Sequence, residues 1–205
     1  MKSHSIAEVA QILRRDFQKT CRLAPFVLMT DPERLPDVVT AVAKLPPNSA
    51  VIYRHFGKSS RKDEALAIRD ITQRKNIQLL IGNDPELALA CQADGVHFSR
   101  DAKVERPMLW RQKCPNWIIS MAGLKQGRYE GDIFVLDALF VSSIFQSSSP
   151  SAGTPIGIEG LKAQTKNLSV PIFALGGINT QTAPELLGSG AAGLAAVTGL
   201  EVSKR

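Results

Sequence analysis

The 205 residues carry 25 Lys and Arg against 19 Asp and Glu, a net charge of +6, and 44% of the chain is hydrophobic. That length and composition suit one globular domain, residues 1–205, and leave no room for two large ones. Basic residues are scattered and paired with acids, as in Arg61-Lys62-Asp63-Glu64, with no basic arm, which excludes nucleic acid and favours small phosphorylated substrates.

The N-terminus has no hydrophobic signal core, and Glu8 and Asp16 argue against a transit peptide, so a cytoplasmic location is expected. Ile6, Val9, Ala10, Ile12, Leu13 and Phe17 recur at helical spacing, predicting an N-terminal helix segment over residues 1–24 that covers the floor of the fold. Residues 26–29 read as a strand ending at Thr30-Asp31-Pro32, and a helix over 35–45 stops at Pro46-Pro47-Asn48. Strands follow at 50–54, 78–81, 95–98 and 117–120, separated by helices at 62–75, 85–92 and one ending over 108–113. Residues 127–131 interrupt any fifth helix. The apolar run 133–141 is too short for a membrane span of roughly 18 residues and is broken by Asp137. The sixth strand is placed at 139–142, and the polar loop 146–154 serves either as a lid or as a solvated linker. A helix at 158–165, a strand at 172–175, a helix at 180–187 and a strand at 194–197 complete the pattern.

Eight strands alternating with helices imply a (β/α)8 TIM barrel over residues 25–200, because a doubly wound sheet needs fewer strands. Only seven residues follow Thr198, so the last helix is shortened or missing. Either the N-terminal helix covers that sector or the partner subunit of a homodimer does. Cys21, Cys91 and Cys114 are odd in number with no C-x-x-C spacing, so they read as free thiols.

In a barrel the residues just past each strand face the ligand. Here those are Thr30 and Asp31, Arg54, Asn83 and Asp84, Ser99 to Asp101, Ser120, Ser142 and Ser143, Gly176 and Gly177, and Thr198. Gly176-Gly177 and Thr198-Gly199 remove side chains after the last two strands, where backbone N–H groups can cup a phosphate. The set holds carboxylates, arginines and hydroxyls but no Ser-His-Asp triad, which suits positioning and neutralisation of phosphates rather than covalent catalysis.

These residues also carry a resemblance. Residues 81–98, I-G-N-D-P-E-L-A-L-A-C-Q-A-D-G-V-H-F, resemble the I-N-D and A-D-G-V-H-L segment of thiamine phosphate synthases and their TenI-like thiazole tautomerase relatives. Residues 171–179 and 190–198 resemble the closing phosphate loops of the same superfamily. The resemblance implies a transferase of thiamine biosynthesis, in which the diphosphate of hydroxymethylpyrimidine leaves with Mg2+ assistance and the thiazole phosphate nitrogen attacks the resulting carbocation. It further implies Asp84 and Asp101 as metal ligands, and Arg54, Asn83, Ser120, Ser147 and Ser149 as catalytic-site residues. Gly176, Gly177, Val197, Thr198 and Gly199 would hold the thiazole phosphate. The strand-two motif Q-x-R-x-K departs here to Ile52-Tyr53-Arg54-His55-Phe56, with Lys58 two positions late. Asp101 comes one residue early, and Pro150 stands where the P-T-x-T-K loop has lysine. The tautomerase histidine falls at Ala122, which transfers no proton. A synthase, a tautomerase, and a phosphate-ligand-binding or regulatory homologue without turnover are therefore the three functional expectations.

Overall fold

The computed structural model describes residues 4–103, 105–123, 133–149 and 152–197. Helix α1 (Ile6–Asp16) starts on Ser5, whose hydroxyl accepts from the Glu8 N–H while the Glu8 carboxylate accepts from the Ser5 N–H. This reciprocal cap satisfies two of the donors that a first turn leaves open. Next come β1 (Phe26–Met29), α2 (Val38–Ala43), β2 (Ser49–Tyr53), α3 (Arg61–Lys75), β3 (Gln78–Gly82), α4 (Pro85–Ala90) and β4 (Gly95–Phe98). The chain continues through α5 (Glu105–Lys113), β5 (Ile118–Ala122), β6 (Ala138–Val141), α6 (Gly157–Asn167), β7 (Ile172–Ala174) and β8 (Gly193–Ala196). All eight strands pair in parallel with their sequence neighbours, and Phe26 opposite Leu194 joins β1 to β8, closing the barrel.

Period-two alternation sorts the strand residues into two apolar sets. Val27, Ile52, Leu80, Ile118, Phe140 and Phe173 belong to the interior set, while Leu28, Val51, Ile81, Val96 and Leu194 pack with the helices. A strand buried on both faces reads as an unbroken apolar run, which is why four or five residues of sequence mark each one.

α1 lays Ile6, Val9, Ala10 and Leu13 against β8, β1 and the 3-10 turn Ala183–Leu186. The N-terminal helix therefore covers the sector beside the last strand, and the homodimer expectation loses the argument that motivated it. Arg14, in the last turn of α1, secures the floor. Its guanidinium donates to the carbonyls of Ala192 (3.2 Å), Cys21 (3.0 Å) and Leu23 (2.6 Å) and lies 5.9 Å from the Phe173 ring centre. The expected shortening of the last helix falls on residues 198–205, outside the described residues.

Four predicted helices are shorter than expected: α1, placed within residues 1–24, spans only Ile6–Asp16, and α4, expected over 85–92, ends at Ala90. α2 starts at Val38 rather than 35, because Pro36 disfavours helical backbone at Leu35 and the Asp37 carboxylate caps the Thr40 N–H at 3.1 Å. The helix expected over 180–187 is reduced to the 3-10 turn Ala183–Leu186. There Asn179 Oδ1 accepts from the N–H groups of Gln181 and Thr182, a local turn that competes with helix formation, and Gly188 at φ 74° ends the segment. The sixth strand lies one residue earlier than expected, and residues ahead of it form the 3-10 turn Ile133–Val135.

Arg14→Ala removes three charge-assisted bonds at the floor and is expected to lower unfolding free energy by about 2–4 kcal/mol in urea denaturation. A loss under about 0.5 kcal/mol would show that the floor does not depend on Arg14.

Candidate active site

The carboxyl ends of β1, β2, β6, β7 and β8 open onto one cavity of about 340 Å3. Its lining includes Asp31, Arg34, Arg54, Ser147, Ser149, Gly176, Gly177 and Val197. One wall is backbone. Gly176 and Gly177 sit at φ 96° and 68°, and a Cβ on Gly177 would lie 2.3 Å from the Gln146 carbonyl oxygen. A Cβ on Gly176 would lie 2.9 Å from Ser143 Cα, so both the left-handed backbone and the close packing of the β6 loop require glycine. Thr182 Oγ1 donates to the Gly177 carbonyl at 2.8 Å and accepts from the Asn179 N–H at 3.0 Å, which fixes the turn from outside. Ser147 and Ser149 stand on the neighbouring loop, where the Ser147 hydroxyl accepts from the Ser149 N–H at 3.2 Å. Thr198 and Gly199 lie outside the described residues.

The side of the cavity at β1 and β2 carries charge. Arg54 follows β2, and its backbone N–H donates to Thr30 Oγ1 at 2.8 Å while its Nε donates to the Thr30 carbonyl at 2.9 Å. Thr30 is fully buried, so the guanidinium is aimed by the end of β1 rather than by solvent. Burial lowers the Arg54 pKa below the ordinary arginine value, Asp31 opposes that shift, and the Arg34 charge adds to it.

The residues after β3, β4 and β5 are engaged elsewhere. Asn83, at φ 55°, accepts from the Ser99 N–H through Oδ1 at 2.7 Å and donates its own N–H to the His97 carbonyl at 2.8 Å, strapping the ends of β3 and β4 together. Asp84 caps α4 by accepting from the Leu87 N–H at 2.9 Å, and its second oxygen pairs with Arg61 at 2.5 Å. Asp101 is exposed on the loop after β4. Among the described residues no cluster of three or more His, Cys, Asp or Glu side chains gathers to hold a metal. The oxygen donors of Asp84 and Asp101 nonetheless suit a hard cation that takes one or two carboxylates and draws its remaining ligands from phosphate and water. Ser120 is fully buried inside the barrel, its hydroxyl 2.9 Å from His97 Nδ1. His97 stands edge-on to Phe140 at 5.2 Å.

The displaced lysine does not replace the missing one: Lys58 pairs with Glu64 at 2.5 Å, beside the buried His55 and the Tyr53 hydroxyl. Phe56, in the lysine position, instead lies under the Arg61 guanidinium, 5.3 Å from the ring centre. Sequence reasoning missed Arg61 and Arg34. Neither belongs to a motif, and each reaches its place from a loop or a helix start one to three turns past a strand end, where spacing gives no signal.

A closed parallel barrel with its cavity at the carboxyl ends of the strands defines the class, the (β/α)8 barrels that bind ligands on that face. A family profile described as thiamine monophosphate synthase matches residues 26–200, and the chain belongs to that family. The thiamine-phosphate synthase of Chloroflexus aurantiacus is 35% identical over 159 residues, 73% of this chain and 70% of its own length. That of a Hydrogenobaculum species is 31% identical over 165 residues, 77% and 76% of the two chains. The solved thiamine phosphate pyrophosphorylase of Pyrococcus furiosus superposes with a TM-score of 0.71, covering 84% of this chain and 85% of its own at 24% identity, a likeness of fold. Among the described residues no helix is long and apolar enough to cross a membrane.

Burial first, and the Arg54 charge second, push His97 from the usual 6.5 down to about 3. The unfolded chain takes up a proton near pH 6.5 that the folded chain refuses until about pH 3, so stability falls as pH drops through that window. At about 1.4 kcal/mol per pH unit, His97 is expected to cost roughly 2 kcal/mol between pH 7 and 5. Urea denaturation at both pH values checks this: His97→Gln should show a smaller loss than the native protein, and an identical loss would clear His97 of the effect.

Proposed function

We propose that this single domain, residues 1–205, joins hydroxymethylpyrimidine diphosphate to thiazole phosphate, giving thiamine phosphate in thiamine biosynthesis. The reading rests on one combination: a family match over residues 26–200 in a chain whose cavity is lined by both a glycine loop and two arginines. Such a cavity suits two phosphorylated substrates better than one. The pyrimidine methylene–oxygen bond breaks, its electron pair leaves with pyrophosphate, and the thiazole nitrogen supplies the pair for the new carbon–nitrogen bond.

In this reading Gly176, Gly177 and Val197, continued by Thr198 and Gly199, hold the thiazole phosphate through backbone N–H groups. Arg54 takes the diphosphate, aimed by Thr30, and needs no reorganisation as negative charge collects on the leaving group. Ser147 and Ser149 bring hydroxyls to the cavity from the loop after β6. Asn83 and Ser120 position the β3–β4 rim and the barrel interior beneath it, through Ser99 and His97 respectively. Asp84 and Asp101 would hold Mg2+, which supplies hard positive charge to diphosphate oxygens. Arg61 already neutralises part of the Asp84 charge, so Asp84 would share its carboxylate between that guanidinium and a bound cation. Action in the cytoplasm on small phosphorylated substrates belongs to the same proposal.

The test is direct. Purified protein with both precursors and Mg2+ is expected to form thiamine phosphate, and Arg54→Gln to lower kcat/KM about 100-fold, the scale of one buried charge-assisted contact. No product above a no-enzyme control would overturn the synthase reading. Retained binding of thiamine phosphate by calorimetry would then leave a ligand-binding protein, whereas acceleration of double-bond migration in the thiazole phosphate would mark a tautomerase.

A further inference from the structure

Arg34 belongs to no motif, yet it lines the cavity beside Arg54. It stands on the loop between β1 and α2, where Asp31 Oδ1 accepts from the N–H groups of Glu33 and Arg34, each at 3.1 Å. That turn carries the Arg34 side chain inward, and its Nη2 is buried with no hydrogen-bond partner. A buried guanidinium N–H without an acceptor is costly, and the cost is relieved when a ligand oxygen supplies one. Arg54 shows the complementary condition: among the described residues the only bond from its guanidinium is the one from Nε to the Thr30 carbonyl. The Arg34 charge is among the causes that lower the Arg54 pKa, and Asp31, the carboxylate that opposes that shift, has one oxygen already engaged by two backbone N–H groups. Two guanidiniums facing one space, incompletely neutralised, are stable together when an anion bridges them.

We propose that Arg34 and Arg54 form a two-guanidinium clamp that binds the pyrophosphate group, in the cavity that the Gly176–Gly177 loop also lines. The inference rests on the synthase reading for the identity of the anion, but the clamp itself follows from the cavity. It also accounts for a chain that lacks lysine at both Phe56 and Pro150: positive charge enters the site from the β1 side instead. Arg34 acts by contact with the ligand and requires no proton transfer.

Calorimetry with inorganic pyrophosphate tests it on the native protein, Arg34→Gln, Arg34→Lys and the surface control Lys162→Gln. Arg34→Gln is expected to weaken pyrophosphate binding about tenfold or more, with Arg34→Lys recovering part of the loss and Lys162→Gln leaving affinity unchanged. Should Arg34→Gln fail to fold, Arg34→Lys carries the test, because it keeps the charge and loses the planar fork. The clamp is overturned if the native protein does not bind pyrophosphate, if neither Arg34 variant weakens binding, or if Lys162→Gln weakens it equally. Thiamine phosphate formation is measured in parallel to keep the two proposals apart. Arg34-independent pyrophosphate binding in a protein that makes product removes the clamp and leaves the synthase. Arg34-dependent binding in a protein that makes none removes the synthase and leaves the clamp.

Discussion

Phe26 opposite Leu194 ties the first strand to the last, and once that pairing forms every strand has two neighbours and no edge is left unsatisfied. Each strand side chain must then face either the interior or the helices, so short strands of three to five residues are enough. Closure also brings the ends of β1 and β2 beside those of β7 and β8, and the cavity occupies that seam. Arg14 underpins the same seam from below, bonding Ala192 just ahead of β8 and the chain just ahead of β1. The N-terminal helix therefore both covers the closing sector and holds its floor.

The mouth of the barrel is built in two different materials. Around β7 the wall is backbone, held by glycines that tolerate no side chain and by a turn that Thr182 fixes. Around β3, β4 and β5 the polar groups largely satisfy one another: Asn83 with Ser99, Asp84 with Arg61, Ser120 with His97. The first arrangement leaves donors facing a cavity, and the second stiffens the rim. Arg54 bridges the two, since it belongs to β2 by sequence and is aimed by β1 through Thr30.

Most of the fold was legible because buried parallel strands announce themselves as apolar runs, and seven of the eight expected strand positions shift by no more than one residue at their starts or ends. The fifth strand ran two residues further than its apolar core, to Ala122. The helices near Pro36 and Asn179 were overestimated because periodicity does not register a pre-proline constraint or a side chain that captures its own backbone. Asp84 shows why a site is harder to read than a strand. A carboxylate before Pro85 has one spelling for a helix cap and for a metal ligand, and only the neighbours, Leu87 N–H and Arg61, reveal that the cap is formed.

The sequence by itself determined the alternation that makes a barrel, the glycines after the seventh strand, and membership in a family whose motifs lie within contiguous stretches. Those features are local: each depends on residues a few positions apart. Tertiary structure alone decided that α1 fills the last sector, that Lys58 turns away to Glu64, that Arg61 reaches Asp84, and that Arg34 and Arg54 line one cavity. Each of these joins elements separated along the chain, and the physical reason is reach. A long cationic side chain settles wherever burial, an acceptor or an aromatic face lies within its length, and that environment exists only after the barrel has closed.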